Sequence, residues 1–479
     1  MNITSLTSSR SSWRTRIGNA HERGRGPAGP DATGRVERAS ADDLTSFATD
    51  VGSAPMHVGA VLILETPTGF DGEHAVTTFS DRVRSIPRLR QRLVNAPFGC
   101  GRAVWVDDPD FDVSRHVRTV ECPGAGDEQA LLDVAASEFA ARLSRDQPLW
   151  SATFVTGLPR NRIALVFVFH HVLADGIGGL AVLAQLVDGT PNVQSHGFPS
   201  AAPSTFTLAL DAWRARGRAL VRVSSAASRL REAVTEVRAG RSGRAPRSSL
   251  NRPTGARREY AVVRTQLDRV HAVAQSYGAT VNDVVLAAVT ASLHELLESR
   301  GEYVDRFVVS IPMSGRARAD VTDLGNHVGA VPVGLVTIDD PVRRLESIAE
   351  VTREAKRAPR GASTALLGPV FRVLARFGIF HWCIDRQHLV NTFVTNVRGP
   401  DARLSFASMP IVDMLPVGTV TGNVTVSFAV LSYAGNLAIT IICDPEVCSD
   451  LRVLRNALDE QLSALTRLPR PPVVTPGRP

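Results

Sequence analysis

Ile163-Ala164-Leu165-Val166-Phe167-Val168-Phe169-His170-His171-Val172-Leu173-Ala174-Asp175-Gly176 is the stretch that decides how this chain is read. Seven uninterrupted apolar residues read as a strand, and the strand ends in two histidines. Asp175 follows four residues after His171, and Gly176, Gly178 and Gly179 lead into a helix. A strand that runs into a glycine-rich turn and then a helix puts His171 at the strand's end, facing a cleft. A neutral imidazole there, with an ordinary pKa of about 6.5, accepts a proton from an alcohol near neutral pH. Asp175 is close enough to stabilise the turn or pair with an arginine, and Gly176 permits a backbone conformation that a Cβ would resist. Two other readings compete: a satisfied structural histidine, and a metal-ligand pair. Adjacent strand residues point to opposite faces, which suits a ligand pair poorly, and no third ligand stands at metal spacing. The expectation is therefore a general base at His171.

Outward from this segment, the first half alternates strand and helix, which argues an α/β fold. A short capped helix is expected over 42–48, a strand over 56–64, a helix over 79–94 and a turn-rich stretch over 105–112. A strand over 116–120, an amphipathic helix over 128–143, and strands over 149–157 and 162–169 joined at Pro159-Arg160-Asn161 complete the approach to the histidines. A helix over 178–187 follows. Residues 190–204 read as a linker, 206–239 as a long basic helix and solvated connector, and 240–255 as a polar loop. The second half opens with a strand over 258–266, a helix over 267–277 and a long helix over 282–298. Strands are expected over 306–312, 390–397, 424–433 and 437–443, and a last helix over 449–465.

Bulk properties bound the class. A chain of 479 residues is long for one core and suggests two domains. The mean hydropathy is zero, as for a water-soluble chain, and no apolar run approaches the roughly 18 residues of a spanning helix. The net charge of +7 is almost all arginine, since Lys356 is the only lysine. That balance reads in part as the codon bias of a GC-rich genome, and functionally as attraction to anionic lipid surfaces or to the phosphates of a cofactor; no nucleic-acid motif accompanies it. Five cysteines, an odd number without a CxxC pair, indicate neither a disulfide framework nor a zinc site. A cytoplasmic protein with reduced thiols is the expectation.

The histidine segment resembles the HHxxxDG signature of the chloramphenicol acetyltransferase-like superfamily. Further blocks narrow the resemblance to the bacterial wax ester synthase/diacylglycerol acyltransferase family: Met56-His57-Val58-Gly59, Trp105 to Asp112, His116-Val117-Arg118, Pro148-Leu149-Trp150, Val281-Asn282-Asp283-Val284-Val285, Leu324-Gly325-Asn326, Asn391 to Pro400 and Ser432-Tyr433-Ala434-Gly435. This likeness implies two superfamily-type domains, each a mixed central sheet flanked by helices, with the active site in a channel at their interface. It implies acyl-CoA as co-substrate with no bound cofactor, and diacylglycerol or another lipid alcohol, such as a fatty alcohol, as acceptor. His171 is then the general base, His170 supports it, Asp175 is structural and Gly176 makes the turn. Asn282 is the candidate side chain for the oxyanion, or else a helix cap or domain-packing residue; Thr395, Asn396 and Ser432 are candidates to line the channel. The alternatives are another lipid or polyketide-derived acceptor, or a lipid-binding paralogue without turnover.

The corresponding domain division is a basic extension or mis-assigned start at 1–37, an N-terminal domain at 38–200, a helical linker at 201–255, a C-terminal domain at 256–468 and a Pro-rich tail at 469–479. The apolar stretch 365–383, with Arg372 and Arg376 four residues apart, reads as one helix, either lying on a membrane or lipid-droplet surface or buried between the domains.

Overall fold

The computed structural model describes residues 36–66, 69–190, 197–221, 244–314, 328–357, 371 and 373–469. The expectations for residues 1–35, for the later part of the basic helix, for Leu324-Gly325-Asn326 and for the tail beyond 469 lie outside them.

In chain order the first half carries α1 (Ala41–Thr49), β1 (His57–Glu65), α2 (Gly72–Arg84), β2 (Gln91–Val94), β3 (Val104–Asp107), β4 (Val117–Glu121), α3 (Glu128–Ala140), β5 (Trp150–Leu158), β6 (Arg162–His170), α4 (Gly176–Leu186) and α5 (Thr205–Val221). The second carries β7 (Glu259–Gln266), α6 (Leu267–Ser276), α7 (Val281–Ser299), β8 (Arg306–Ser314), β9 (Val328–Val336), α8 (Pro341–Arg357), α9 (Phe380–Ile384), β10 (Thr392–Arg398), β11 (Ser405–Phe406), β12 (Met409–Val417), β13 (Val426–Tyr433), β14 (Asn436–Cys443) and α10 (Leu451–Thr466).

Two six-stranded mixed sheets organise these elements, in the orders β11-β12-β1-β6-β5-β4 and β7-β14-β13-β10-β8-β9. The sheets meet through one shared cluster, in which Val61, Val166 and Val168 of the first join Val262, Ala429 and Ile442 of the second together with Leu131, Leu132 and Phe139 of α3. Helices cover the outer faces, α2 and α4 over the first sheet and α6, α7 and α10 over the second. This layering explains why β6 and β13 are apolar without alternation. Each is buried along nearly its whole length, so neither face selects for polar residues.

The topology corrects the domain division at one place. After β10 the chain leaves the second sheet, adds β11 and β12 to the edge of β1, and returns as β13 beside β10. Residues 405–417 thus belong in space to the N-terminal sheet. Arg264 on β7 ties the seam, donating to Asp413 on β12 at 2.7 Å and to Glu128 on α3 at 3.2 Å.

Local corrections have local causes. The helix expected over 79–94 begins at Gly72, where Asp71 caps the His74 N–H at 2.9 Å. It ends before Pro87, and 91–94 is instead a strand paired with β3. The β3 strand also takes up the start of the stretch expected to be turns. The expected loop at 240–255 is pinned over its described part: Asn251 donates to the carbonyls of Asn391 and Asn423 at 3.0 and 3.2 Å. The helix expected over 365–383 breaks within its described part, where Gly378 has φ +70°. Val373, Phe377, Ile379 and Trp382 are exposed rather than buried between domains.

Gly59 on β1 shows why the Met56-His57-Val58-Gly59 block needs a glycine. A Cβ there would stand 1.9 Å from the Phe167 carbonyl oxygen and 3.1 Å from the Phe139 ring. Backbone cannot move aside as a side chain can, so Gly59→Ala is expected to destabilise the fold by about 1–3 kcal/mol. Urea denaturation of the variant checks this; an unchanged midpoint would show that β1 and β6 separate freely.

Candidate active site

The site is built at the end of β6, where the strand's pairing stops and the chain turns into α4. Both histidine amides are held by the flanking elements. His170 N–H donates to the Leu149 carbonyl at 2.9 Å and His171 N–H to the Met56 carbonyl at 2.8 Å. Pro148-Leu149-Trp150 and Met56-His57 are therefore the two jaws that fix the histidine turn. Trp150 is itself locked, donating from Nε1 to the Leu89 carbonyl at 2.6 Å and stacking on His116 at 4.4 Å.

His170 points inward and is buried. Its Nδ1 accepts the Val172 N–H at 2.9 Å, closing the turn. That bond leaves Nδ1 without a proton and puts the ring's N–H on Nε2, which faces Asp50 Oδ2 at 3.4 Å, a long contact rather than a short hydrogen bond. Asp50 is also buried; it accepts the Met56 N–H at 3.0 Å and an Arg145 N–H at 3.1 Å. Burial works to raise its pKa, but His170, the Met56 amide and Arg145 outweigh it and hold the carboxyl well below the usual range. His57 lies beside the pair, its ring 6.1 Å from that of His170, and donates from Nδ1 to the Phe139 carbonyl at 2.9 Å. Burial pushes its pKa down to about 4, so it stays neutral.

His171 is half-buried in the turn between β6 and α4. Burial pushes its pKa below the ordinary value; Asp175 and Asp43 pull against this, while His170 adds to it. The imidazole is accordingly neutral at pH 7. Asp43 is a contributor that sequence reasoning missed as such. It sits in the first turn of α1, in a capping box with Ser40. The box is readable from Ser40 and Asp43 three residues apart, but nothing local says that α1 delivers this carboxylate to the histidine.

Asp175 is the N-cap of α4. Its Oδ1 accepts the Gly178 N–H at 2.8 Å and its carbonyl accepts the Gly179 N–H at 2.7 Å. Gly176 lies against β10: a Cβ on it would come within 2.9 Å of Val397 and 3.9 Å of Thr395. The first turn of α4 thus abuts the second sheet, bringing the two halves together beside His171.

Asn282 is the second residue of α7, not its cap; Thr280 caps the helix in a capping box with Asp283. Asn282 Oδ1 accepts from Asn396 Nδ2 at 3.4 Å. Because strand neighbours alternate, Asn396 faces the side of β10 opposite to Thr395 and Val397, which meet Gly176. Ser432 is buried on β13, and its carbonyl accepts the Gly399 N–H at 3.0 Å.

With this geometry in view, comparison with known proteins is informative. Residues 40–285 match the wax ester synthase/diacylglycerol acyltransferase catalytic domain, and residues 324–466 match the C-terminal domain of the same family. A probable diacylglycerol O-acyltransferase of Mycobacterium tuberculosis (strain H37Rv) is 30% identical over 439 residues, covering 88% of this chain and 93% of the relative. A second, putative diacylglycerol O-acyltransferase of that strain is 26% identical, covering 90% of each chain. Among solved structures, the wax ester synthase/diacylglycerol acyltransferase of Marinobacter aquaeolei VT8 superposes with a TM-score of 0.65 at 22% identity, over 90% of this chain and 98% of that one. The first condensation domain of the CDA synthetase gives 0.59 at 18% identity, over 92% and 98%. The architecture is the two-domain, chloramphenicol acetyltransferase-like fold. Matched through both halves and 30% identical to a relative over most of its length, this chain belongs to the wax ester synthase/diacylglycerol acyltransferase family of acyltransferases.

Proposed function

We propose that the protein transfers a long-chain acyl group from acyl-CoA to the free hydroxyl of diacylglycerol, forming triacylglycerol, and accepts fatty alcohols as second acceptors. The observation that carries this reading is the neutral, half-buried His171, held by backbone bonds where α4 and β10 meet. The printed names of the curated relatives supply the acceptor class.

In this mechanism His171 removes the hydroxyl proton as the oxygen attacks the thioester carbonyl. The tetrahedral intermediate carries its charge on the former carbonyl oxygen. As it collapses, the C–S bond breaks and the imidazolium returns the proton to the CoA thiolate. The ester and the thiol leave, with the histidine neutral again. No acyl-enzyme forms, so no serine or cysteine nucleophile takes part. Oxyanion donors are sought first among the backbone N–H groups of the opening turn of α4, which abuts Thr395 and Val397. Asn282, bonded to Asn396 on the face of β10 turned away from Gly176, takes the packing role instead.

The test is an assay of the purified chain with labelled palmitoyl-CoA and, in parallel, diacylglycerol and hexadecanol. Triacylglycerol and wax ester are the expected products; no ester with any lipid alcohol would leave a non-catalytic lipid-binding protein. The pH profile gives a second check. A base whose pKa is depressed by burial keeps its free form to lower pH. The acid limb of kcat/KM should therefore inflect below the ordinary histidine value of about 6.5, and an inflection above it would remove His171 from the role.

A further inference from the structure

Helix α5 was expected to be a solvated connector, but its outward face is apolar. Phe206, Leu210 and Trp213 stand at i, i+4 and i+7 on one stripe and are 77%, 40% and 72% exposed. The opposite face is the one that packs: Leu208 and Ala212 are buried, Leu208 against Cys100 and Val104. An amphipathic helix needs one apolar face to bind its own fold; this one has two.

A second element adds to the outward stripe. The loop between β2 and β3 carries Phe98 with its side chain wholly in solvent. That loop is fixed to α5 rather than free. Gly101 comes so close to the helix that a Cβ on it would stand 3.2 Å from Ala212, and Arg216 donates to the Gly99 carbonyl at 3.0 Å. Four exposed large apolar side chains thus come from two segments bonded to one another.

Charge completes the picture. Arg214 and Arg216 project about 80° to either side of the stripe, and Arg218 follows on the same helix; all three are exposed. The single acid of α5, Asp211, is turned inward onto Arg38 Nε at 2.6 Å. An apolar ridge with aromatic ends, flanked by arginines and free of outward acids, is the pattern of a helix lying in a bilayer interface. A protein partner would need acidic groups matching both flanks and a groove for the ridge; an anionic bilayer supplies both at once.

We propose that α5 and the Phe98 loop form the surface by which this protein docks on membranes bearing anionic lipid headgroups. The side chains enter the interface to the depth of the ridge, and Arg214 and Arg218 engage headgroup phosphates. Docking needs neither substrate, so it stands apart from the identity of the acyl acceptor.

The experiment is flotation of the full chain with vesicles of phosphatidylcholine, alone or mixed with phosphatidylglycerol. Wild-type protein should float with the mixed vesicles, less with pure phosphatidylcholine, and less at high salt. The variant carrying Phe206→Ser, Leu210→Ser and Trp213→Ser should lose about tenfold or more in partitioning. Arg214→Ala with Arg218→Ala should weaken it about fivefold per arginine. All these side chains are exposed, so the melting curves should match wild type. Brominated lipid should quench Trp213, and Trp213→Phe should remove that quenching while the protein still floats. Undiminished flotation of the triple-serine variant overturns the proposal, as does loss of flotation only when Phe377 and Trp382 are made serine. Wild-type protein that ignores vesicles but sediments as a dimer broken by the triple change would make the face a contact between two copies, which also overturns it.

Discussion

His171→Ala is expected to lower kcat for ester synthesis by about 10³-fold with little change in the KM for either substrate. In the proposed mechanism the imidazole acts on the proton of the attacking hydroxyl and on the departing sulfur, neither of which contributes to ground-state binding. Stability should change little, because the side chain is only half-buried and the turn is held by the backbone N–H of residue 171, which alanine retains. His170→Ala should behave oppositely. That ring is buried and closes the turn through the Val172 N–H, so its loss should cost stability first and rate second. Single-turnover kinetics on folded variants separate the two. If His171→Ala keeps more than about a tenth of the wild-type rate, the proton is taken elsewhere and the reading of the heptad fails.

What the sequence disclosed follows from how local each signal is. The turn joining β5 and β6 was readable from Pro159-Arg160-Asn161, and it closes with Arg160 and Asn161 at φ 64° and 51°. The long apolar helix α7 and the short α1 were readable from periodicity and caps. The crossover strands were not. β12 contains Pro410 and Pro416, which argue against a paired strand, yet it pairs with β1 from Gly59 to Leu64. Only the unfilled edge of β1, supplied by the other half of the chain, makes that segment a strand. β9 hides in the same way behind Pro332.

The site divides along the same line. His170, His171, Asp175 and Gly176 are contiguous, so one strand-turn-helix unit places them all. The groups that tune them arrive from far along the chain. Asp43 and Asp50 come from more than a hundred residues upstream, and Thr395 and Val397 from more than two hundred downstream. An acid in a loop after a short helix carries no mark of being buried against a histidine. The two caps, by contrast, differ in a readable way: Thr280 rather than Asn282 fits the box with Asp283, three residues on.

Asp50→Ala is the substitution expected to do most damage to the fold. The carboxylate is 7% exposed and is met by the His170 ring, the Met56 amide and two arginines, Arg145 at 3.1 Å and Arg142 at 3.9 Å. Arg145 is half in solvent and can rehydrate, but the His170 Nε2–H and the Met56 N–H are left facing an empty space. Removing one partner from such a buried network costs about 3–5 kcal/mol. Met56 also accepts the His171 N–H, so the loss loosens the jaw that holds the proposed base, and kcat should fall in the folded fraction as well. Asp50→Asn should lie between, since its oxygen still accepts from Met56. The pH dependence has a definite sign. A carboxyl held below its unfolded pKa of about 3.9 binds fewer protons folded than unfolded, so its contribution is complete above that pH and falls away as the solution becomes more acid. Denaturant titrations should thus show wild type and Asp50→Ala far apart at neutral pH and converging below about pH 4. Equal stabilities at neutral pH would mean that the His170 ring is held by its bond to the Val172 amide alone.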